Sequence, residues 1–458
     1  MLRLAIPVVV VQVGMMAMGV ADTVMAGHYS GTALAAVALG NVYFYTVAVF
    51  GMGTLLALDP VISQAVGAGD DVAIARGLQR GLLMAAGLSM IASVLLIPGE
   101  AFLTLLGQPE EVIPVAADYA RASIPGVFPF LAFWVLRQTL QAMERLRPIV
   151  ITILAANVVN IILNWMLVYG KLGAPELGAV GTGWASSISR GLVAAGLLLL
   201  AWRELRPYLI PLRRDALLFA PFLRMLRLGA PIGLQFQLEY GAFATVAIMM
   251  GWLGPVPMAA HQIAINLASL TFMVPVGVAA AAAVLVGQSV GRRDMPAARR
   301  FGMAALLIGA GFMSVSAVVF LAAPGLLARL YSVDPLIIAL AVTLIPIAGV
   351  FQVFDGLQAV AGGVLRGVGD TRSPLVVNLL GFWLFGVPIS IYLGFRTPAG
   401  PAGLWWGFVA GLLAVSVILV ARVRIQLRRD IARVLIDADH PLPGVPEPLA
   451  DARAAAGP

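Results

Sequence analysis

The chain has 458 residues, of which 61% are hydrophobic and only 11% charged, with a formal net charge of +7 and no cysteine. A soluble domain carries roughly a quarter charged residues, so a soluble enzyme or nucleic-acid binder is excluded despite the basic balance, and most of the surface must face lipid. The missing cysteines exclude disulfides, thiolate metal sites and thiol nucleophiles.

A helix crosses the hydrocarbon core in about 20 apolar residues, and runs of that length recur along the chain. The first starts after Arg3 and continues past Gly19-Val20-Ala21 to Tyr29, too far for a signal peptide. The first half reads as helices over roughly 4–27, 34–61, 79–99, 113–136, 148–169 and 179–201. The second half reads as roughly 229–252, 258–287, 301–323, 336–363, 374–395 and 402–421. Between the halves, 203–227 carries Arg203, Arg206, Arg213, Arg214, Arg224 and Arg227 and includes an amphipathic stretch suited to a membrane surface. The tail, 429–458, is rich in Ala, Pro and Asp and reads as disordered and cytoplasmic.

The halves are copies. Leu2-Arg3-Leu4-Ala5-Ile6-Pro7 returns as Leu226-Arg227-Leu228-Gly229-Ala230-Pro231, and Gln64, Gly67, Asp70 and Arg76 return as Gln288, Gly291, Asp294 and Arg300 in the same register. The expected fold is an all-α polytopic membrane protein. Its twelve helices form two six-helix lobes, 1–202 and 228–428, with 203–227 as a cytoplasmic connector. Six spans per copy is an even number, so the pseudo-two-fold axis runs along the membrane normal. Placing both termini inside puts about 24 basic residues there and leaves Lys171, Arg329 and Arg396 outside, which fixes the orientation by the positive-inside rule.

Acids in apolar runs are expensive, at about 2.5–3.5 kcal/mol each. Asp22, Glu239 and Asp355 interrupt helices 1, 7 and 10, whereas Asp59 and Asp118 fall close to helix ends. The duplication shows that the architecture does not demand these three: their counterparts in the other copy are Val246, Met15 and an apolar stretch near Leu131. Only Arg121 and Arg190 are basic residues placed within spans, as packing partners for one or two acids. Gln235 lies one turn before Glu239 on the same helix face. Asn157, Asn160 and Asn164 form a polar stripe on helix 5 that could face Asp22 or simply tie helices together. Two carboxylates on different helices of one lobe can hold a cation or share a proton, because desolvation disfavours the bare charge.

The single lysine, Lys171, follows no phosphate loop, so ATP cannot drive any transport. No metalloprotease run occurs, and His28 and His261 fall near outer helix ends, so an enzyme is not expected. Neither nucleic acid nor a bound cofactor is expected as a partner.

The strings Ala21-Asp22-Thr23-Val24-Met25-Ala26-Gly27, Gln64-Ala65-Val66-Gly67-Ala68-Gly69, Asn164-Trp165 running to Tyr169-Gly170-Lys171-Leu172-Gly173, and Phe354-Asp355-Gly356-Leu357-Gln358 leading to Leu365-Arg366-Gly367 resemble the multidrug and toxic compound extrusion (MATE) transporters, in their NorM-like bacterial branch. The resemblance runs to about residue 428. It implies two lobes in a V around a central cavity and export of organic cations and amphipathic drugs in exchange for Na⁺ or H⁺. It implies a monomer in the bacterial inner membrane, with membrane lipids and drugs as its partners. It places the coupling cation, a possible Na⁺ included, at Glu239 and Asp355, with Gln235, Phe351 and Gln262 in support. It assigns Asp22, with Asn160 and Asn164 beside it, to proton coupling or drug release, and the helix 5 stripe adds Asn157 to that site. Many members have Tyr where this chain has Phe351; the missing hydroxyl leaves a sodium ion one ligand short and leaves H⁺ coupling open. A lipid-linked oligosaccharide flippase of the same superfamily is the alternative, but it needs a cationic cavity that these acids oppose.

Overall fold

The computed structural model describes residues 1–105 and 107–437. With no water in the bilayer to satisfy backbone groups, each apolar run closes its hydrogen bonds as a helix. Twelve long helical segments result among the described residues: α1 (Leu2–Tyr29), α2 (Gly31–Ala68), α3 (Asp71–Leu96), α4 (Ile113–Ala142), α5 (Arg147–Tyr169), α6 (Gly178–Leu200), α7 (Phe219–Trp252), α8 (Pro255–Gly291), α9 (Met295–Ala322), α10 (Pro335–Val368), α11 (Arg372–Phe395) and α12 (Gly400–Arg428). Eleven are long and apolar enough to span a membrane by composition alone. The twelfth, α7, has 34 residues, but Gln235, Gln237 and Glu239 depress its hydropathy. Pro125 interrupts α4 with a 3₁₀ turn, and α11 has a π-helical stretch at Leu379–Gly386.

The repeated Gln-Gly-Asp positions are where the lobes lock together. The Gln64 amide donates to the Gly367 carbonyl at 2.9 Å, and the Gln288 amide donates to Ala142 at 2.9 Å, so each lobe reaches into the other. Gly67 packs on the Gln288 backbone and Gly291 on that of Gln64, with no room for a Cβ at either. One turn on, Asp70 and Asp294 cap α3 and α9 through Ala73 and Ala297, both at 2.9 Å. Gly291→Val is expected to destabilise this crossing by about 1–3 kcal/mol, read as a lowered melting temperature. Gly19→Val, where nothing lies within 4 Å, is the control that stays unchanged.

The lobes also meet where Gly229 and Gly233 approach α2 at Thr54, and where Gly277 approaches Val9. All these contacts lie in the halves of the helices nearer the two ends of the chain, so the molecule is closed on that side.

The connector is folded onto α3. It contains a short helix, Trp202–Leu209, and a turn, Arg214–Leu217, and α7 begins at Phe219, well before the position expected from hydropathy. The Gln79 amide donates to the carbonyls of Tyr208, Leu209 and Pro211, and Arg76 pairs with Asp215. Burial works against charge on Asp215, but the Arg76 guanidinium outweighs it and holds the carboxyl below its usual range.

Residues 429–437 depart from the disordered reading. Arg433 pairs with Asp70 at 2.9 Å, both Asp437 oxygens accept from Arg80 at 3.0 and 2.6 Å, and the Val434 amide donates to Gln64 at 2.7 Å. Composition missed this because the partners belong to the other lobe, more than 350 positions away in all four bonds. Residues 438–458 of the expected tail lie outside the described residues.

Asp370, between α10 and α11, accepts from Arg422 at 2.8 Å and from Gln426 and Ser373 at 2.9 Å. Burial opposes its charge, but these donors prevail and hold its carboxyl below the usual range. A depressed folded value gives stability that is fully present above the unfolded aspartate value of about 3.9 and lost as pH falls through the folded one. The melting temperature of the protein should therefore fall with acid below about pH 4, and Asp370→Asn should remove part of that dependence.

Candidate functional site

In the first lobe, α1 presents Asp22 inward at 5% exposure. One carboxylate oxygen accepts from Asn164 of α5 at 2.7 Å and the other from Ser186 of α6 at 2.7 Å. Asn160 is fully buried one turn away, with its amide 3.5 Å from Ser189. The side-chain oxygens of Asn160, Asn164 and Thr182 are buried and unpartnered among the described residues. Across the same core the Tyr119 hydroxyl donates to Asn41 at 2.9 Å.

The helix 5 stripe thus divides. Asn160 and Asn164 belong to the acid's surroundings, while Asn157 donates to the Gly14 and Ile153 carbonyls, both at 2.9 Å, and ties α5 to α1. Ser186 and Thr182 were not foreseen; the Ser186-Ser187-Ile188-Ser189 run in an otherwise apolar helix was the available signal.

In the second lobe, Glu239 of α7 accepts from Gln358 of α10 at 3.1 Å and from Asn378 of α11 at 3.4 Å. Trp383 donates to the Leu238 carbonyl at 3.1 Å and fixes α11 against this turn of α7. Asp355, 6% exposed, lies on α10 with Glu239 as its charged neighbour. Its Oδ1 has no hydrogen-bond partner among the described residues, and neither do Gln358 Oε1 and Asn378 Oδ1. A buried and a half-buried carboxylate therefore stand together with two spare amide oxygens. These are hard oxygen donors, suited to a small hard cation or to one shared proton.

Of the supporting residues, Gln235 is buried on α7, whereas Gln262 is partnered with Asn266 at 3.2 Å in an exposed position. Phe351 packs among Phe243, Trp405 and Phe408, with ring centroids 5.9, 5.4 and 6.0 Å away. Its ring completes an apolar wall beside the acids. His261 differs from the solvated reading: it is buried against Trp405, centroids 5.5 Å apart.

Among the described residues no ion pair joins Asp22, Glu239 or Asp355 to a basic side chain. Arg121 instead pairs with Asp118 and Glu100 at the surface, and Arg190 stacks on Phe44 at 3.9 Å. The helices run longer than hydropathy suggests, so Arg137 and Arg366 also fall within spans. Arg366 pairs with Asp59 of the other lobe at 3.3 Å, and Asp59, only 3% exposed, also accepts from Gln138. Asp59 stands near a helix end as expected, in the first turn where α2 restarts at Leu58 after a turn, but that end lies inside the molecule.

The MatE family model matches residues 7–166 and again 231–392, one match per lobe. The chain is 36% identical over 434 residues to a probable multidrug resistance protein NorM of Bradyrhizobium diazoefficiens, covering 93% of each chain. It is 34% identical to the multidrug resistance protein MdtK of Pectobacterium atrosepticum, covering 95% of this chain and 97% of that one. The structure superposes on that of the eukaryotic MATE transporter AtDTX14 with a TM-score of 0.85 at 23% identity, over 93% of this chain and 96% of that chain. It also superposes on an outward-facing multidrug resistance MATE transporter with a TM-score of 0.84 at 19% identity, over 93% of this chain and 95% of that one.

Proposed function

The chain belongs to the MatE family, and from that premise we propose that it is a multidrug exporter of the inner membrane, driven by entry of H⁺ or Na⁺ through the carboxylates of its second lobe. The supporting observation is the Glu239–Asp355 pair: two acids with no ion-paired basic residue, beside amide oxygens with no partner, among the described residues, while the matching positions of the other copy are apolar.

With the termini in the cytoplasm, the side on which the lobes are closed is the cytoplasmic one. An ion from outside loads Glu239 and Asp355 and favours release of drug to the outside. Rocking of the lobes then exposes the sites inward, where the ion leaves and drug enters from the cytoplasm or inner leaflet. Linkage makes the coupling reciprocal, so drug loading weakens ion binding by the same factor. The aromatic wall at Phe351 offers no hydroxyl, which favours the proton as the coupling ion.

One charge falling through 100 mV releases about 2.3 kcal/mol, and a tenfold gradient adds about 1.4. Together these sustain a gradient of a few hundredfold for a neutral drug. A monovalent cationic drug cancels the electrical part, so one ion sustains only about a tenfold gradient of it and a steeper one requires more than one ion.

Proteoliposomes with pH and Na⁺ gradients imposed separately test this reading. Drug accumulation should follow the pH gradient and collapse with a protonophore; accumulation indifferent to both gradients refutes ion coupling.

A further inference from the structure

A groove of about 500 Å³ lies between α10 and α12, lined by neither Glu239, Asp355 nor Asp22. Its walls are apolar: Phe354 and Leu357 on α10, Val417, Val420 and Ala421 on α12. One end is basic, formed by Arg424 and Arg428. These two are four residues apart, so their guanidiniums stand on one face of the last turns of α12. Both are exposed, and neither side chain has an ion pair or hydrogen bond among the described residues.

The dimensions fit a particular occupant. The α12 lining runs from Ser416 to Arg428, which is about 18 Å along a helix axis. One leaflet of the hydrocarbon core is about 15 Å deep, half of the roughly 30 Å total. The groove therefore reaches from headgroup level to about the bilayer midplane. Ile425 in the groove and Ile418 beside it are both exposed, and such a surface of α12 is the kind that faces acyl chains. Paired guanidiniums attract a phosphate diester and repel a lipophilic cation.

We propose that this groove is a binding site for one anionic phospholipid of the leaflet on the side of the termini, its chain along the α10–α12 walls and its phosphate on Arg424 and Arg428. Phe354 and Leu357 stand about 100° and 160° around α10 from Asp355, so the lipid packs on a different face of the helix that carries that acid. The site stands on the membrane-embedded fold and does not depend on which ion drives transport.

The absence of native cysteine allows a site-specific test. Ile418→Cys, beside the groove but not lining it, is labelled with a fluorophore in the otherwise unchanged full chain. The protein is reconstituted in phosphatidylcholine, and brominated-chain phosphatidylglycerol or phosphatidylcholine is titrated in as quencher. Phosphatidylglycerol should be preferred over phosphatidylcholine by about twenty-fivefold, about fivefold for each arginine. Arg424→Gln with Arg428→Gln should bring the ratio close to one while leaving quenching by phosphatidylcholine intact, which also reports that the protein is folded. Leu357→Trp, which fills the groove, should weaken quenching by both lipids. Soluble glycerol phosphate should displace neither. A ratio near one in the parent chain, a ratio indifferent to the glutamine substitutions, displacement by glycerol phosphate, or displacement by a lipophilic cation would each overturn the proposal.

Discussion

Asp355→Asn should lower ion-driven drug efflux by roughly a hundredfold without making the protein less stable. The factor follows from the about 2.5–3.5 kcal/mol that separates a charged from a neutral group inside a bilayer, which is the energy an ion can exploit when it neutralises the acid. The amide keeps the shape of Asp355 but loses the charge. Because Oδ1 of Asp355 has no hydrogen-bond partner among the described residues, removing the charge relieves the fold. The melting temperature at pH 8 should therefore stay level or rise by about 1–2 °C, as when a functional site holds a group that stability alone would not choose. Transport in proteoliposomes and a thermal melt on the same preparation give both readings. A variant that still pumps, or one that pumps poorly only because it unfolds, would show that Asp355 is not the coupling acid. Glu239→Gln should share the transport defect. It retains an oxygen to accept from Gln358 and Asn378, so its fold should be preserved as well.

Arg366→Ala has the other large effect, on conformation. It leaves Asp59 buried without its partner from the opposite lobe, although Gln138 still donates to it. Removing one member of a buried pair costs about 3–5 kcal/mol. That cost falls only on the state in which the lobes are closed on the side of the termini, since opening this face admits water to Asp59. The closed population should drop by two to three orders of magnitude relative to the open one. Spin labels on engineered cysteines, one per lobe at this face, report the distance directly in a chain with no native cysteine. Arg366→Ala combined with Asp59→Asn should recover much of the closed population, because the stranded charge is gone. An unchanged distance distribution in Arg366→Ala would mean that the pair decorates the interface without holding it.

The two acid sites were legible to different degrees. Asp22, Glu239 and Asp355 stand out because any carboxylate inside an apolar run is anomalous, and the duplicated half shows that the fold manages without each of them. Their partners were harder to see. Asn164 was visible as part of a stripe, yet the same stripe suggested Asn157, which turns out to bond the Gly14 backbone, about two turns along α1 from Asp22. Ser186 and Asn378 carried no signal beyond being small and polar in an apolar context. Arg366 was misplaced because hydropathy declines before the helix does: α10 continues to Val368, where the side chains turn polar. Asp59 stands near a helix end as expected, but its burial between the lobes left no local signal. The buried His261 escaped for a related reason, since a helix end packed against Trp405 looks the same in sequence as one in water.

The sequence by itself determined the solvent, the number of crossings, the duplication and the three costly acids. Each of these is a local property, either the free energy of moving a run of side chains into lipid or a match between segments at constant separation. Only the tertiary structure decided which polar atoms meet, namely that Gln358 and Asn378 share Glu239, that Asp59 pairs with Arg366 307 positions away, and that residues 433–437 clasp the first lobe. Contacts of that range depend on how two lobes of nearly uniform hydrophobicity dock. Small residues such as Gly67 and Gly291 set that docking through shape, and shape leaves almost no trace in hydropathy.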